Sequence, residues 1–509
     1  MAISSNKQVP GGHAQTAAYI GPTNTLANPI ASHRARQVVR TPDLCVIGAG
    51  SGGLSVAAAA AALGVSVVLI EKHKMGGDCL NYGCIPSKAL IASAKRAQQV
   101  RTSAVFGVAA REPDIDFAQV RAHVSGVIAQ IAPNDSVERF TALGVEVIKA
   151  SGRFINAKTV EAGDTLVRAR RFVIASGSSP AVPEIPGLAT VPYFTNESIF
   201  DLDQRVGHLV ILGGGAIGIE LAQAYRRLGA QVTILEADRA LAKDDPELTA
   251  VALKRLRAEG VVLNEGATVR KISGRAGAIA IEFGNAATVG SVTGTHLLIA
   301  AGRKPNIDGL GLQAAGIKAT ARGIAVNGGL LTSNRRVYAI GDVTGGAQFT
   351  HVANYHASIV IRRALFRLPS RVDVDQFPRV TFTDPEIAQV GLTEAEARAR
   401  GGKPAIYRWP FRDNDRAAAE CCADGLIKVV CDGRGRIVGA GIAGPNAGEL
   451  IQVWSLALSQ RLKIGAMTQW TAPYPTLGEI SKRAAFGALA EQARRPIVRK
   501  LLSILRKFG

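Results

Sequence analysis

Two cysteines five positions apart, Cys79 and Cys84, lie in the run Gly76-Gly77-Asp78-Cys79-Leu80-Asn81-Tyr82-Gly83-Cys84-Ile85-Pro86-Ser87-Lys88. Thiols at close range can cycle between dithiol and disulfide, a two-electron change. On a regular helix this spacing separates the Cα atoms by about 8–9 Å, and a disulfide needs them within about 7 Å. A bridge therefore requires a distorted backbone. Gly77 and Gly83 can relax the chain, and Pro86 can open the regular helix that follows. The pair is expected in an irregular loop and the first turn of a helix, where backbone N–H groups stabilise a thiolate. Two buried structural cysteines are the alternative reading.

The elements around the pair point to bound dinucleotides. Leu44-Cys45-Val46-Ile47 reads as a buried strand and runs into Gly48-Ala49-Gly50-Ser51-Gly52-Gly53, a G-x-G-x-x-G on Gly48, Gly50 and Gly53. An Ala-rich helix follows, then the strand 65–70, which ends at Glu71. In such a unit the first glycine makes a tight turn and the second lets a pyrophosphate approach. The third lets the helix pack closely, and the acid takes ribose hydroxyls. The pattern recurs with strand 209–212, Gly213, Gly215 and Gly218, a helix to about Leu228, and a strand ending at Glu236. Both acids lie eighteen residues after the last motif glycine. Each unit closes alike, with Ile174-Ala175-Ser176-Gly177-x-x-Pro180 and Ile299-Ala300-Ala301-Gly302-x-x-Pro305. After Pro305 the chain returns through Val337–Asp342, a strand ending in an acid. From about Val372 the pattern changes to an antiparallel sheet with helices, with an alternating run at Leu426–Cys431.

The run 76–88, with these units around it, closely resembles the active-site segment of the flavoprotein disulfide reductases, which include dihydrolipoamide dehydrogenase, glutathione reductase and mercuric reductase. The resemblance covers roughly residues 43–490. It implies an α/β fold with two Rossmann-like dinucleotide-binding domains, the second inserted in the first, and a C-terminal α+β dimerisation domain. The expected boundaries are 43–187 with 307–371 for FAD, 188–306 for NAD(P)H and 372–493 for the dimer interface. FAD is implied on Gly48, Gly50, Gly53, Glu71, Lys88, Gly152, Ser176, Gly177, Ser178, Asp342 and His351. The nicotinamide nucleotide is implied on Gly213, Gly215, Gly218, Glu220, Glu236 and Gly302.

In the chemistry the resemblance implies, hydride passes from NAD(P)H to FAD and on to the cysteine pair. Cys84 lies nearer the flavin, and Cys79 is the interchange thiol that meets substrate. Lys88, one turn after Cys84, is expected to pair with Glu220. Residues 348–351 open a helix whose positive end faces the flavin. Glu236 favours NADH over NADPH, with Arg239 nearby opposing.

The acceptor is where this sequence departs from the best-known relatives. Lipoamide and glutathione reductases carry His-Pro-Thr where this chain has Tyr474-Pro475-Thr476, followed by Glu479. A phenol with a pKa of about 10 cannot replace an imidazole near 6.5 as a neutral-pH acid–base group. The pattern instead resembles mercuric reductase, whose substrate is a metal ion held by thiolates. That enzyme ends in a vicinal cysteine pair, and this chain does not; its one such pair, Cys421-Cys422, falls in the interface domain ahead of a strand. No resident metal site is expected. The reading is a homodimeric FAD- and NAD(P)H-dependent oxidoreductase acting on a metal ion or small electrophile. A dihydrolipoamide dehydrogenase is the alternative enzyme. A flavin-bearing redox sensor or a membrane-associated binding module is the alternative of another class.

A chain of 509 residues has room for three or four domains, and 55 glycines with 47% hydrophobic residues suit a glycine-turned α/β protein. Six cysteines do not make a disulfide framework, and a single catalytic pair suits the reducing cytoplasm. The net charge of +20 comes without a nucleic-acid-binding motif. The apolar run 54–70 is broken by Ser55, Gly64 and Ser66 and is not a membrane span. Residues 1–42, free of Asp and Glu, are expected to be a disordered extension, with a transit peptide as the alternative. The tail 494–509 reads as a basic amphipathic helix suited to an anionic membrane surface or to docking on its own dimer.

Overall fold

The computed structural model describes residues 37–284, 289–494 and 496–508. The extension expected at 1–36 lies outside them. The expected disorder does not reach residue 42: Val38–Arg40 is a strand paired in parallel with Thr165–Val167. Both of its faces are exposed, so it carries no apolar alternation to betray it.

The first parallel sheet has five strands in the order Val337–Ala339, Arg171–Ile174, Leu44–Ile47, Val67–Ile70 and Val145–Ile148. Leu44–Ile47 and Val67–Ile70 are buried throughout, which is why they read as continuous apolar runs. A second sheet orders Val262–Asn264, Gln231–Leu235, His208–Leu212 and His296–Ile299, all parallel. The strand at 337–339 leaves this second sheet aside and pairs with Arg171–Ile174 of the first. The two closing segments meet, Ser178–Pro180 pairing antiparallel with Arg303–Pro305.

The third sheet is antiparallel, in the order Arg379–Thr381, Glu386–Gly391, Ile437–Gly444, Leu426–Cys431 and Ala405–Pro410. Helices Ala447–Ser459 and Glu479–Ala493 contribute to its core. There Trp454 is fully buried and donates its indole N–H to Ser481 Oγ at 3.0 Å. Two buried cations tie this sheet to the second dinucleotide unit. Arg227 bridges Glu259 and Asp384, and Lys428 bridges Asp245, Glu247 and Glu394. This docking brings Phe382 to Glu220.

Candidate active site

Cys79 lies in a single helical turn, Gly77–Asn81, and Cys84 opens the long helix Cys84–Arg101. The first cysteine is therefore helical, where an irregular loop was expected. The distortion is concentrated at Gly83, with φ −123° and ψ −108°. A Cβ there would lie 2.9 Å from Asp78 Oδ2. Gly77 has φ +58°, and a Cβ on it would come within 2.7 Å of Gly50 Cα. The two glycines thus let the thiol segment rest on the first glycine loop.

Both cysteines are free thiols within hydrogen-bonding reach of each other. The Cys79 S–H donated to Cys84 is the main reason the Cys84 pKa falls to about 6. Burial opposes that shift, while the Thr350 hydroxyl at 3.4 Å and the Lys88 charge support it. Cys79 is pushed up by the same shared proton and then by burial. The proton stays on Cys79 and the negative charge on Cys84. Thr350 begins the helix Thr350–Ala364, whose N-terminal dipole also favours a thiolate.

Lys88 Nζ lies 2.8 Å from Glu220 Oε2 and 4.3 Å from the centre of the Phe382 ring. The Glu220 carboxylate is 7% exposed, and its other oxygen accepts the Phe382 N–H at 2.9 Å. Three distant segments meet at this carboxylate.

The two glycine loops share one construction. Glu71 accepts the Ala49 N–H at 2.6 Å and the His73 N–H at 2.7 Å. Glu236 accepts the Gly214 N–H at 2.6 Å and the Asp238 N–H at 2.9 Å. Each acid therefore folds its loop by binding the residue after the first glycine. Gly48 and Gly213 have φ of +105° and +111°, and a Cβ on either would sit 2.4 Å from a carbonyl oxygen. A Cβ on Gly53 or Gly218 would collide with the first glycine's carbonyl at 1.8 and 2.0 Å.

The middle glycines differ. Gly50 and Gly215 have ordinary extended backbones, with φ −79° and −72°. A Cβ on Gly50 would meet nothing nearer than 4.0 Å, and one on Gly215 would meet nothing within 4 Å. Neither conformation nor protein packing demands glycine there, whereas a pyrophosphate brought against the backbone does. The helices that follow, Ser51–Ala62 and Ala216–Arg227, have neither a side-chain cap nor an acid in the first turn. Their N-terminal N–H groups suit an anion. The residues present fit two dinucleotides.

Asp342 accepts the Ser178 hydroxyl at 2.6 Å, and burial raises its carboxyl pKa. Arg303 donates to Ser178 Oγ and pairs with Asp78 Oδ1 at 3.1 Å, next to the thiols. His356 Nδ1 accepts the Gly341 N–H and so fixes the turn that carries Asp342; burial lowers its pKa to about 4. Ser176 Oγ donates to the Asn306 carbonyl. Gly177 and Gly302, with φ of +70° and +118°, have open space where a Cβ would stand. Gly152 lies against Ile47 and Ile70. His351 donates Nε2–H to the Pro378 carbonyl at 2.7 Å and stacks on Phe349. Sequence reasoning missed Thr350, Arg303, Asp78, His356 and Phe382 as members of this site.

Tyr474 is 69% exposed and donates its hydroxyl to Asp415 Oδ2 at 3.0 Å. The Glu479 carboxylate lies 3.9 Å from Arg483, and its charge adds to that of Asp415 at the phenol. Asp415 raises the phenol pKa above its ordinary value, so the proton stays on Tyr474 at neutral pH. Cys421 is exposed with φ +52°, and Cys422 is half-buried. Among the described residues no cluster of three or more His, Cys, Asp or Glu could hold a metal ion.

Residues 42–357 match the family described as pyridine nucleotide-disulphide oxidoreductase, and residues 377–485 match its dimerisation domain. The chain is 34% identical to a mercuric reductase of Bacillus cereus over 447 residues, 87% of this chain and 70% of that one. It is 36% identical to a dihydrolipoyl dehydrogenase of Geobacillus stearothermophilus over 457 residues, 87% and 95% of the two chains. A Cu(II) complex of the HOCl-induced flavoprotein disulfide reductase RclA from Escherichia coli superposes with a TM-score of 0.77 at 27% identity, covering 86% of this chain and 98% of that one. With both family regions matched and relatives above 30% identity along most of their length, this chain belongs to the pyridine nucleotide-disulphide oxidoreductases.

Proposed function

We propose that the protein is a homodimeric FAD-dependent NADH oxidoreductase whose Cys79–Cys84 pair passes electrons to a thiophilic metal ion or a small electrophile. One observation carries the choice of acceptor: the proton-holding phenol of Tyr474, anchored on Asp415. Reducing a disulfide substrate needs a proton delivered to the departing thiol by a group that titrates near neutrality. A phenol raised above its ordinary pKa does not do this. A metal ion held between thiolates has no leaving thiol to protonate, and a phenol can still orient it. The Cu(II) complex of the E. coli reductase and the similarity to mercuric reductase support this reading. The 36% identity to a dihydrolipoyl dehydrogenase supports the alternative, in which a thiol substrate is used.

Bound FAD would supply the two-electron link between the nicotinamide and the thiols. The protein's own contribution is to fix charges around that link. Gly50 and Gly215 leave their backbones open to the phosphates, and Glu71 and Glu236 hold the loops for the riboses. Asp342 and Ser178 form a polar pair at the end of the first sheet. Lys88, paired with Glu220, and the start of the helix at Thr350 favour negative charge on Cys84. Cys79 keeps its proton until an electrophile arrives. Glu236 would also repel a 2′-phosphate, which favours NADH. The thiol pair suits a reducing cytoplasm.

Two substitutions test the assignment of the thiols. Reduced by two electrons, the FAD-loaded protein should show a long-wavelength thiolate–flavin absorption band that Cys84→Ser abolishes. Cys79→Ser should keep a thiolate contact and lose turnover. Identical spectra in the parent and Cys84→Ser would refute the assignment.

A further inference from the structure

The helix Pro496–Leu505 contains no buried residue. At about 100° per residue, Ile497, Val498, Leu501, Leu502, Ile504, Leu505 and Phe508 project within an arc of about 160°. Arg499, Lys500, Ser503, Arg506 and Lys507 fill the remainder of the wheel. The apolar arc is uncovered: Leu502 and Ile504 are 46% exposed, Ile497 75% and Phe508 83%. Free in water, such a face is unfavourable, and something of matching chemistry must cover it.

Charge selects the occupant. Residues 494–509 hold six arginines and lysines and no acid, on a chain of net charge +20. The same acid-free tail on a second copy brings only like charge, so pairing of one tail helix with another is opposed electrostatically. A surface of anionic headgroups over hydrocarbon satisfies both faces together. Ten residues span about 15 Å, half of a bilayer's hydrocarbon core, so the helix lies in the interface plane. Among the described residues no helix is long and apolar enough to cross a membrane.

We propose that this C-terminal helix is an in-plane anchor that seats the enzyme on membranes bearing anionic phospholipid. Leu501 and Leu505 enter the acyl boundary, while Arg499, Lys500, Arg506 and Lys507 meet headgroup phosphates. Such an anchor would bring the oxidoreductase close to membrane-dissolved electrophiles.

Flotation of the full-length, FAD-loaded protein with vesicles tests this. The comparison is phosphatidylglycerol mixed with phosphatidylcholine against phosphatidylcholine alone. The parent should partition at least about tenfold more into the anionic vesicles and should detach as salt rises. The pair Leu501→Glu/Leu505→Glu and the pair Arg499→Glu/Lys500→Glu should each lose that partitioning, with melting temperature and light-scattering mass unchanged. These positions are exposed, so neither pair threatens folding. Absence of flotation by the parent, or equal flotation by both variants, would overturn the proposal. So would a variant whose only change is in oligomeric mass, which would assign the face to a second copy.

Discussion

Removing the Cys79 thiol should move the titration of Cys84 more than any other single change at the site. The Cys79 S–H is the largest influence holding Cys84 at about 6, ahead of Thr350 and Lys88. Cys79→Ala removes that donor, and burial then pushes Cys84 toward the ordinary thiol value of about 8.5. At pH 7 the thiolate fraction would fall from about 90% to about 3%, roughly 30-fold. A more basic thiolate is also a better nucleophile, by about 10- to 18-fold over this range. The net loss of alkylation rate at pH 7 is then only about two- to threefold. At pH 5.5 the fractions differ by about 240-fold, and the net contrast grows to about 10- to 25-fold. The assay is alkylation of the reduced protein by limiting iodoacetamide across pH 5–9. Residues 75–88 form one tryptic peptide carrying both cysteines, and tandem mass spectrometry separates them. The parent should label at Cys84 with an inflection near pH 6. An inflection above about 8 in the parent, or an unmoved one in Cys79→Ala, would refute the shared-proton account.

The glycine loops predict opposite failures for neighbouring substitutions. Gly50→Ala and Gly215→Ala should fold with near-parental melting temperatures, yet the first should lose FAD on desalting and the second should raise KM for NADH at least about tenfold. Gly53→Ala, facing a 1.8 Å clash, should lose stability outright, and full flavin retention by Gly50→Ala would remove the phosphate argument. Lys88→Met leaves the buried Glu220 without its cation and should cost about 1–3 kcal/mol in urea denaturation, partly recovered by adding Glu220→Gln. No loss in Lys88→Met would mean that water already screens the pair. For the nucleotide, kcat/KM should favour NADH, and Glu236→Ala should narrow the gap; a parental preference for NADPH would contradict the role given to Glu236.

The parts of the site legible in the sequence are those in which local backbone geometry dictates residue type. Gly48 and Gly53 are forced by a positive φ and a 1.8 Å contact, so their spacing is written in the chain. The acids at 71 and 236 complete the same local loops, and the buried strands show as apolar runs. Thr350, Arg303 and Asp415 follow no such rule. Each is an ordinary polar residue brought to its partner by tertiary docking: Thr350 to Cys84 across 266 positions, Asp415 to Tyr474 across 59. Glu479, at the start of its helix, lies 3.9 Å from Arg483 and reaches Tyr474 through its charge, while the hydrogen bond goes to Asp415. Val38–Arg40 escaped notice because an edge strand exposed on both faces needs no pattern.

Steady-state NADH oxidation by the FAD-loaded protein distinguishes the possible acceptors. Hg(II) and Cu(II) with excess thiol, lipoamide, glutathione disulfide and a quinone would be compared in the parent and in Tyr474→His. A metal ion or small electrophile should be the best acceptor of the parent, with lipoamide turnover low. In Tyr474→His, whose imidazole can use Asp415, lipoamide turnover should rise about tenfold or more while metal-ion reduction stays level or falls. Rapid lipoamide turnover by the parent, unimproved by the histidine, would contradict this reading of the acceptor.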